Sequence, residues 1–108
     1  MLTFIETPLF TRLVSTYLSD DEYSSLQESL AANPESGDLI RGSGGLRKLR
    51  WGSSGRGKRG GVRVVYYVRV RAGVIWMLTI YAKNVKETIA ANVLRRIAKE
   101  IDHGEEDT

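Results

Sequence analysis

VRVVYYVRVRAGVIWMLTIYA, residues 62–82, decides the fold. In its first half Val62, Val64, Tyr66, Val68 and Val70 alternate with Arg63, Val65, Tyr67, Arg69 and Arg71. That two-residue period predicts a strand over Val62–Arg71, apolar on one side and basic on the other. Ala72-Gly73 is a hairpin-turn candidate. Val74–Ala82 follows, apolar on nearly both sides, and so reads as a strand in the middle of a sheet.

Upstream, Leu46–Trp51 predicts another strand, with Leu46, Lys48 and Arg50 on one face and Arg47, Leu49 and Trp51 on the other. Between these two strands lies GSSGRGKRGG, Gly52–Gly61. Eight of the 11 glycines fall between Gly42 and Gly61, so backbone freedom is concentrated where positive charge is concentrated. At the N-terminus Leu2–Glu6 alternates as a short strand. Thr7-Pro8 is a helix start, a capping hydroxyl followed by proline at the first helical position. Leu9, Phe10, Leu13, Val14, Tyr17 and Leu18 then make one apolar stripe. Ser19 and Glu22 form a capping box that opens a second helix, whose buried face is Tyr23, Leu26 and Leu30 and which Asn33-Pro34 stops.

Downstream, Asn84 with Glu87 is a cap for a last helix, in which Val85, Ile89, Val93, Ile97 and Ile101 recur every four residues. Gly104 is its stop signal. The predicted order is β-α-α-β-β-β-α, an α+β fold with a mostly antiparallel twisted sheet packed against helices. Residues 1–104 are expected to form a single domain and residues 105–108 an acidic tail.

Composition narrows the function. The chain has 108 residues and a net charge of +3. That small number hides a segregation: residues 39–86 hold 12 of the 16 Lys and Arg and no Asp or Glu, giving +12, while the remainder carries −9. A solvated surface mixes both signs, so this pattern asks for a polyanionic partner. The basic residues sit in strands and Gly-rich turns, not along an amphipathic helix, which favours nucleic acid over a membrane surface. With no cysteine there is neither a disulfide framework nor a thiolate metal site, and a single histidine, His103, leaves no His-rich metal site. No metal and no cofactor is expected. Glu6 and Pro8 interrupt the first apolar stretch and no basic region precedes it, which argues against a secretory signal. The default expectation is a cytoplasmic protein with no membrane segment.

Cleavage of a phosphodiester needs charge stabilisation, a base for the attacking hydroxyl and an acid for the leaving oxygen. In RNA the attacking group is supplied by the substrate's own 2′-OH, so a cluster of Lys and Arg can suffice. Crowded cations lower one another's proton affinity, which favours proton exchange. Lys48 and Arg50 share a strand face, Arg63 lies early in the next strand, and Lys83 lies at the end of the last. Lys48, Arg50 and Arg63 also admit a plainer reading as solvated strand charges, which the pattern favours less. Arg56, Lys58 and Arg59 on the Gly-rich turn suit phosphate steering better than catalysis. Tyr66 and Trp76 read as core, whereas Tyr67 and Tyr81 fit either base stacking or packing. His103 suits a helix C-terminus, and Ser53-Ser54 has no histidine nearby to activate it. Gly42-Ser43-Gly44 and Gly55-Arg56-Gly57 lack the strand-to-helix context of a nucleotide loop.

Four runs together resemble the HigB-like branch of the RelE toxin family. They are Gly44-Gly45-Leu46-Arg47-Lys48-Leu49-Arg50, the turn Gly55-Arg56-Gly57-Lys58-Arg59-Gly60-Gly61, Val62-Arg63-Val64-Val65-Tyr66-Tyr67, and Leu78-Thr79-Ile80-Tyr81-Ala82-Lys83-Asn84. Tyr17-Leu18-Ser19-Asp20-Asp21-Glu22-Tyr23 and Asn33-Pro34 extend the similarity over nearly the whole chain. The resemblance implies a metal-independent endoribonuclease that cuts messenger RNA in the decoding site of the ribosome by 2′-OH attack. It also implies neutralisation by a cognate helix-turn-helix, HigA-like antitoxin, with operator DNA bound only through that partner. By similarity Lys48 and Arg50 act on the phosphate and in proton transfer, and Arg63 stabilises the transition state. Lys83 joins the catalytic set, and Arg47, Arg56, Lys58, Arg59 and Tyr81 the RNA-binding set. RelE proper has a further Arg after its last strand and a Tyr in its final helix. Lys83-Asn84-Val85-Lys86-Glu87-Thr88-Ile89-Ala90 has neither, a loss that HigB-like members share, so Lys48 and Lys83 remain the candidates for general base. A ParE-like toxin, sharing the fold but poisoning DNA gyrase, is the alternative.

Overall fold

In the computed structural model, which describes residues 2–52, 61–85 and 95–101, the hairpin of residues 62–82 is the middle of the sheet. The elements run β1 (Thr3–Glu6), α1 (Pro8–Tyr17), α2 (Asp20–Ala32), β2 (Asp38–Leu39), β3 (Arg47–Trp51), β4 (Val62–Arg69) and β5 (Val74–Ala82). A final helical segment, α3, covers residues 95–101. The five strands form one sheet in the order β1-β5-β4-β3-β2. β1 lies parallel to β5 and the other three pairings are antiparallel.

The order departs from the sequence reading at one point: β2 is an extra strand inside what reads as a loop. Two residues are too few to show a period, and β2 exists only because Asp38 and Leu39 pair with Lys48 and Arg47. β4 also ends at Arg69, two residues short of the predicted Arg71, and residues 70–73 turn. Gly73 has φ 69°, left-handed backbone that glycine adopts without penalty. Val70 is consequently 67% exposed instead of facing the core.

The helix starts form as their side chains dictate. Thr7 Oγ1 accepts from the Phe10 N–H at 3.1 Å and donates to the Leu78 carbonyl at 2.8 Å, so the cap also ties α1 to β5. At α2 the Ser19 hydroxyl accepts from the Glu22 N–H at 3.1 Å, and the Glu22 carboxylate accepts from the Ser19 N–H at 2.8 Å. Asn33 caps the far end of α2.

The alternation in β4 and β5 creates two cores, one on each side of the sheet. On the first face Val62, Val64, Tyr66, Ile75, Met77 and Ile80 pack against Phe10 and Leu18 at α1 and Leu26 and Leu30 of α2. The Phe10 and Tyr23 rings meet at 5.7 Å. On the second face Leu46, Val65, Tyr67 and Leu78 pack with Ala98 of α3, and Trp76, Ile97 and Ile101 flank them. Tyr66 is thus core, as read from sequence, and Trp76 is half-buried in the second cluster. The caps expected at Asn84 and Glu87 involve residue 87, and the stop at Gly104 and His103 lie outside the described residues. No helix among the described residues is long and apolar enough to cross a membrane.

Candidate nucleic-acid interface

Strand register assembles the basic residues. Arg50 of β3 stands directly opposite Arg63 of β4, and Arg63 stands directly opposite Tyr81 of β5. These three make one row across the sheet on its second face. The next row on that face is Asp38, Lys48, Val65 and Thr79. Neighbouring strands are about 4.8 Å apart and alternate residues of one strand about 6.8 Å apart. Four of the residues singled out from sequence, Lys48, Arg50, Arg63 and Tyr81, therefore share a patch of roughly 10 Å.

Arg50 and Arg63 are also closer than a random opposite pair. Ile40 donates its N–H to the Leu46 carbonyl at 2.9 Å, which sets the hydrogen-bonding phase of β3. Even-numbered residues of β3 turn their backbone groups toward β2, and odd-numbered ones toward β4. Arg50–Arg63 is accordingly a non-hydrogen-bonded pair, the type with Cα atoms at about 4.5 Å and side chains nearest each other. Like charges directly opposite destabilise a sheet. Among the described residues no carboxylate stands opposite Arg50 or Arg63, whereas Asp38 of β2 stands opposite Lys48. The Arg63 guanidinium only grazes its neighbour, the Val62 carbonyl, at 3.5 Å. Arg50 is exposed, and Lys48, Arg63 and Tyr81 are half-buried. The facing Arg50 and Arg63 can bind phosphate, and the half-buried Tyr81 ring, which packs against the second core, can stack a base on its exposed part.

Tyr81 reaches this face through a bulge that sequence alternation does not reveal. Val65 pairs with Thr79, yet the next residue, Tyr66, pairs with Met77, leaving Leu78 as the extra residue of β5. Leu78 and Thr79 both take the second face, and the parity of β5 flips there. Without the bulge Tyr81 would share the first face with Ile75 and Met77.

The remaining candidates separate. Lys83 is exposed just past β5, its N–H donating to the carbonyl of Gly61, the residue before β4, at 3.1 Å. Arg47 projects to the first face, where its Nη1 donates to the Gly37 carbonyl at 2.7 Å and the Glu35 carbonyl at 3.2 Å. It is not brought to the cationic row. Tyr67 is buried in the second core, which settles its role as packing. Arg56, Lys58 and Arg59 lie outside the described residues.

Fold and site together define a class: a small α+β domain whose mixed five-stranded sheet bears α1 and α2 on one face, and α3 beside a cationic row on the other. No family model matches the chain.

Proposed function

We propose that the protein is a HigB-like toxin of the RelE kind, a metal-independent endoribonuclease that cleaves messenger RNA on the ribosome. The observation that carries this reading is the Arg50–Arg63–Tyr81 row, in which two arginines face each other with no carboxylate opposite either among the described residues, and Lys48 lies one row away. Arg63, in the centre of the row, is aimed to neutralise the charge that builds on the phosphate as the substrate's 2′-OH attacks. Arg50 holds the same phosphate from β3. Lys48 and Lys83 are the proton-transfer candidates, and Tyr81 offers a surface for a base. Ribosomal RNA and mRNA are the partners, with Arg56, Lys58 and Arg59 steering the chain onto the ribosome in the cytoplasm. A HigA-like antitoxin restrains the toxin and carries it to operator DNA.

The test is induction in bacteria with protein synthesis and DNA replication followed separately by labelling. Early arrest of translation with cleaved transcripts is the expected result. Gyrase-linked DNA breaks with intact transcripts would overturn it in favour of a ParE-like poison.

A further inference from the structure

β3 carries Lys48 and Arg50, yet little holds its outer edge. β2 pairs with it at only two residues, Asp38 opposite Lys48 and Leu39 opposite Arg47. Beyond Lys48 the next residue turned outward is Arg50, and no backbone group among the described residues pairs with it there. The chain that would have continued β2 instead dips onto the first face, and two side chains from that face catch it. The Arg47 Nη1 donates to the carbonyls of Gly37 and Glu35. The Tyr66 hydroxyl donates to the Pro34 carbonyl at 2.8 Å and accepts from the Gly37 N–H at 2.9 Å. Arg47 and Tyr66 are opposite residues of β3 and β4, so the clamp spans both strands that bear the cationic row.

Gly37 shows how tightly the clamp closes. A Cβ there would lie 2.9 Å from the Tyr66 ring and hydroxyl and 3.0 Å from the carbonyl oxygen of Lys48. The clamped segment thus rests against the very peptide whose side chain emerges on the opposite face.

We propose that Arg47 is a positioning residue: with Tyr66 it locks residues 34–37 under the sheet, keeps β2 paired to β3, and so holds Lys48 and Arg50 in line with Arg63. This rests on the endoribonuclease reading for its consequence in catalysis, but not for the clamp itself. It replaces the direct RNA contact that its place in a basic run suggests. A planar guanidinium bridges two carbonyls in a fixed geometry, whereas a lysine ammonium is a mobile point charge.

The test compares Arg47→Ala, Arg47→Lys and Tyr66→Phe in the full chain. The readouts are single-turnover cleavage on mRNA-programmed ribosomes, ribosome binding across a salt series, and amide hydrogen exchange in β3. The expected result is a cleavage rate lowered by up to about a hundredfold in Arg47→Ala, the scale of an ångström of misplacement. Binding should keep its salt slope. The Lys48 amide, bonded to β2, should lose protection while the Leu49 amide, bonded to β4, keeps it. Arg47→Lys should restore the net charge without restoring the rate, and Arg47→Ala with Tyr66→Phe should cost less than the two singles multiplied. A salt slope reduced by about one with an unchanged rate would mark a phosphate contact and overturn the proposal. So would unchanged exchange at Lys48. If Arg47→Ala does not fold, Arg47→Lys and Tyr66→Phe decide by the same readouts. Should the unmodified protein cleave nothing, the functional reading falls, and Lys48 exchange alone judges the clamp.

Discussion

Removing the charge at Arg63 should separate activity from stability, because the structure gives the two effects opposite signs. Arg63 faces Arg50 as a close, non-hydrogen-bonded pair with no carboxylate opposite either among the described residues. Two guanidinium groups at a separation of ~6 Å in water would repel by about 0.7 kcal/mol unscreened and roughly half that at physiological ionic strength. Arg63→Gln relieves this term and keeps most of the half-buried stem, whose loss would otherwise cost a few tenths of a kcal/mol. Folding stability should therefore change by no more than ~0.5 kcal/mol, and in the stabilising direction at low salt. Loss of one preorganised donor at a developing oxyanion costs about 10²–10³ in rate, or roughly 2.7–4 kcal/mol. The assay pairs single-turnover mRNA cleavage on programmed ribosomes with urea unfolding in low and high salt. The expected outcome is a rate two to three orders of magnitude lower, a midpoint equal or slightly higher in low salt, and no midpoint difference in high salt. Cleavage at the unmodified rate would remove Arg63 from the site. A stability loss above ~2 kcal/mol would show that the arginine is structural, and the repulsion argument would be wrong.

Lys48→Met should depress the cleavage rate far more than Lys83→Met, since Lys48 stands on a rigid strand beside Arg50 whereas Lys83 is exposed in a turn; kcat and KM measured for each variant check this, and the reverse order would move the general base to Lys83. The Tyr23 hydroxyl, half-buried and donating to the Glu6 carboxylate at 2.7 Å, has its pKa raised, first by burial and then by Glu6. A folded-state value above the ordinary ~10 means that stability is present below that pH and declines as pH rises past it, so Tyr23→Phe should flatten the alkaline fall seen in melts above pH ~10. Leu26 is fully buried between α2 and the sheet; Leu26→Ala should cost about 2–5 kcal/mol by urea denaturation, and a loss under ~1 kcal/mol would place it outside the core.

Much of the fold is legible locally. The Thr7 and Ser19 caps, the Asn33 stop and the two-faced alternation in β4 depend on residues a few positions apart, and such spacing is written in the chain itself. The same holds for the charge segregation that points to a polyanion, and for Lys48 and Arg50 sharing a face. What lay beyond reach was set by partners distant in sequence. That Arg50 meets Arg63 follows from a register the whole sheet establishes, because a slip of one residue would turn every side chain of β3 to the other face. The bulge at Leu78 leaves no mark in an apolar run that suits either face, yet it alone delivers Tyr81 to the cationic row. β2 exists only through its pairing with β3. Arg47 looks from sequence like one more charge in a basic run; only the folding of residues 34–37 beneath the sheet gives its guanidinium two carbonyls to hold. By itself the sequence determined the element types, their faces and the sign of the surface, since these obey short-range periodicity. The tertiary structure decided which charges stand opposite one another, since that depends on pairing between segments that local spacing does not encode.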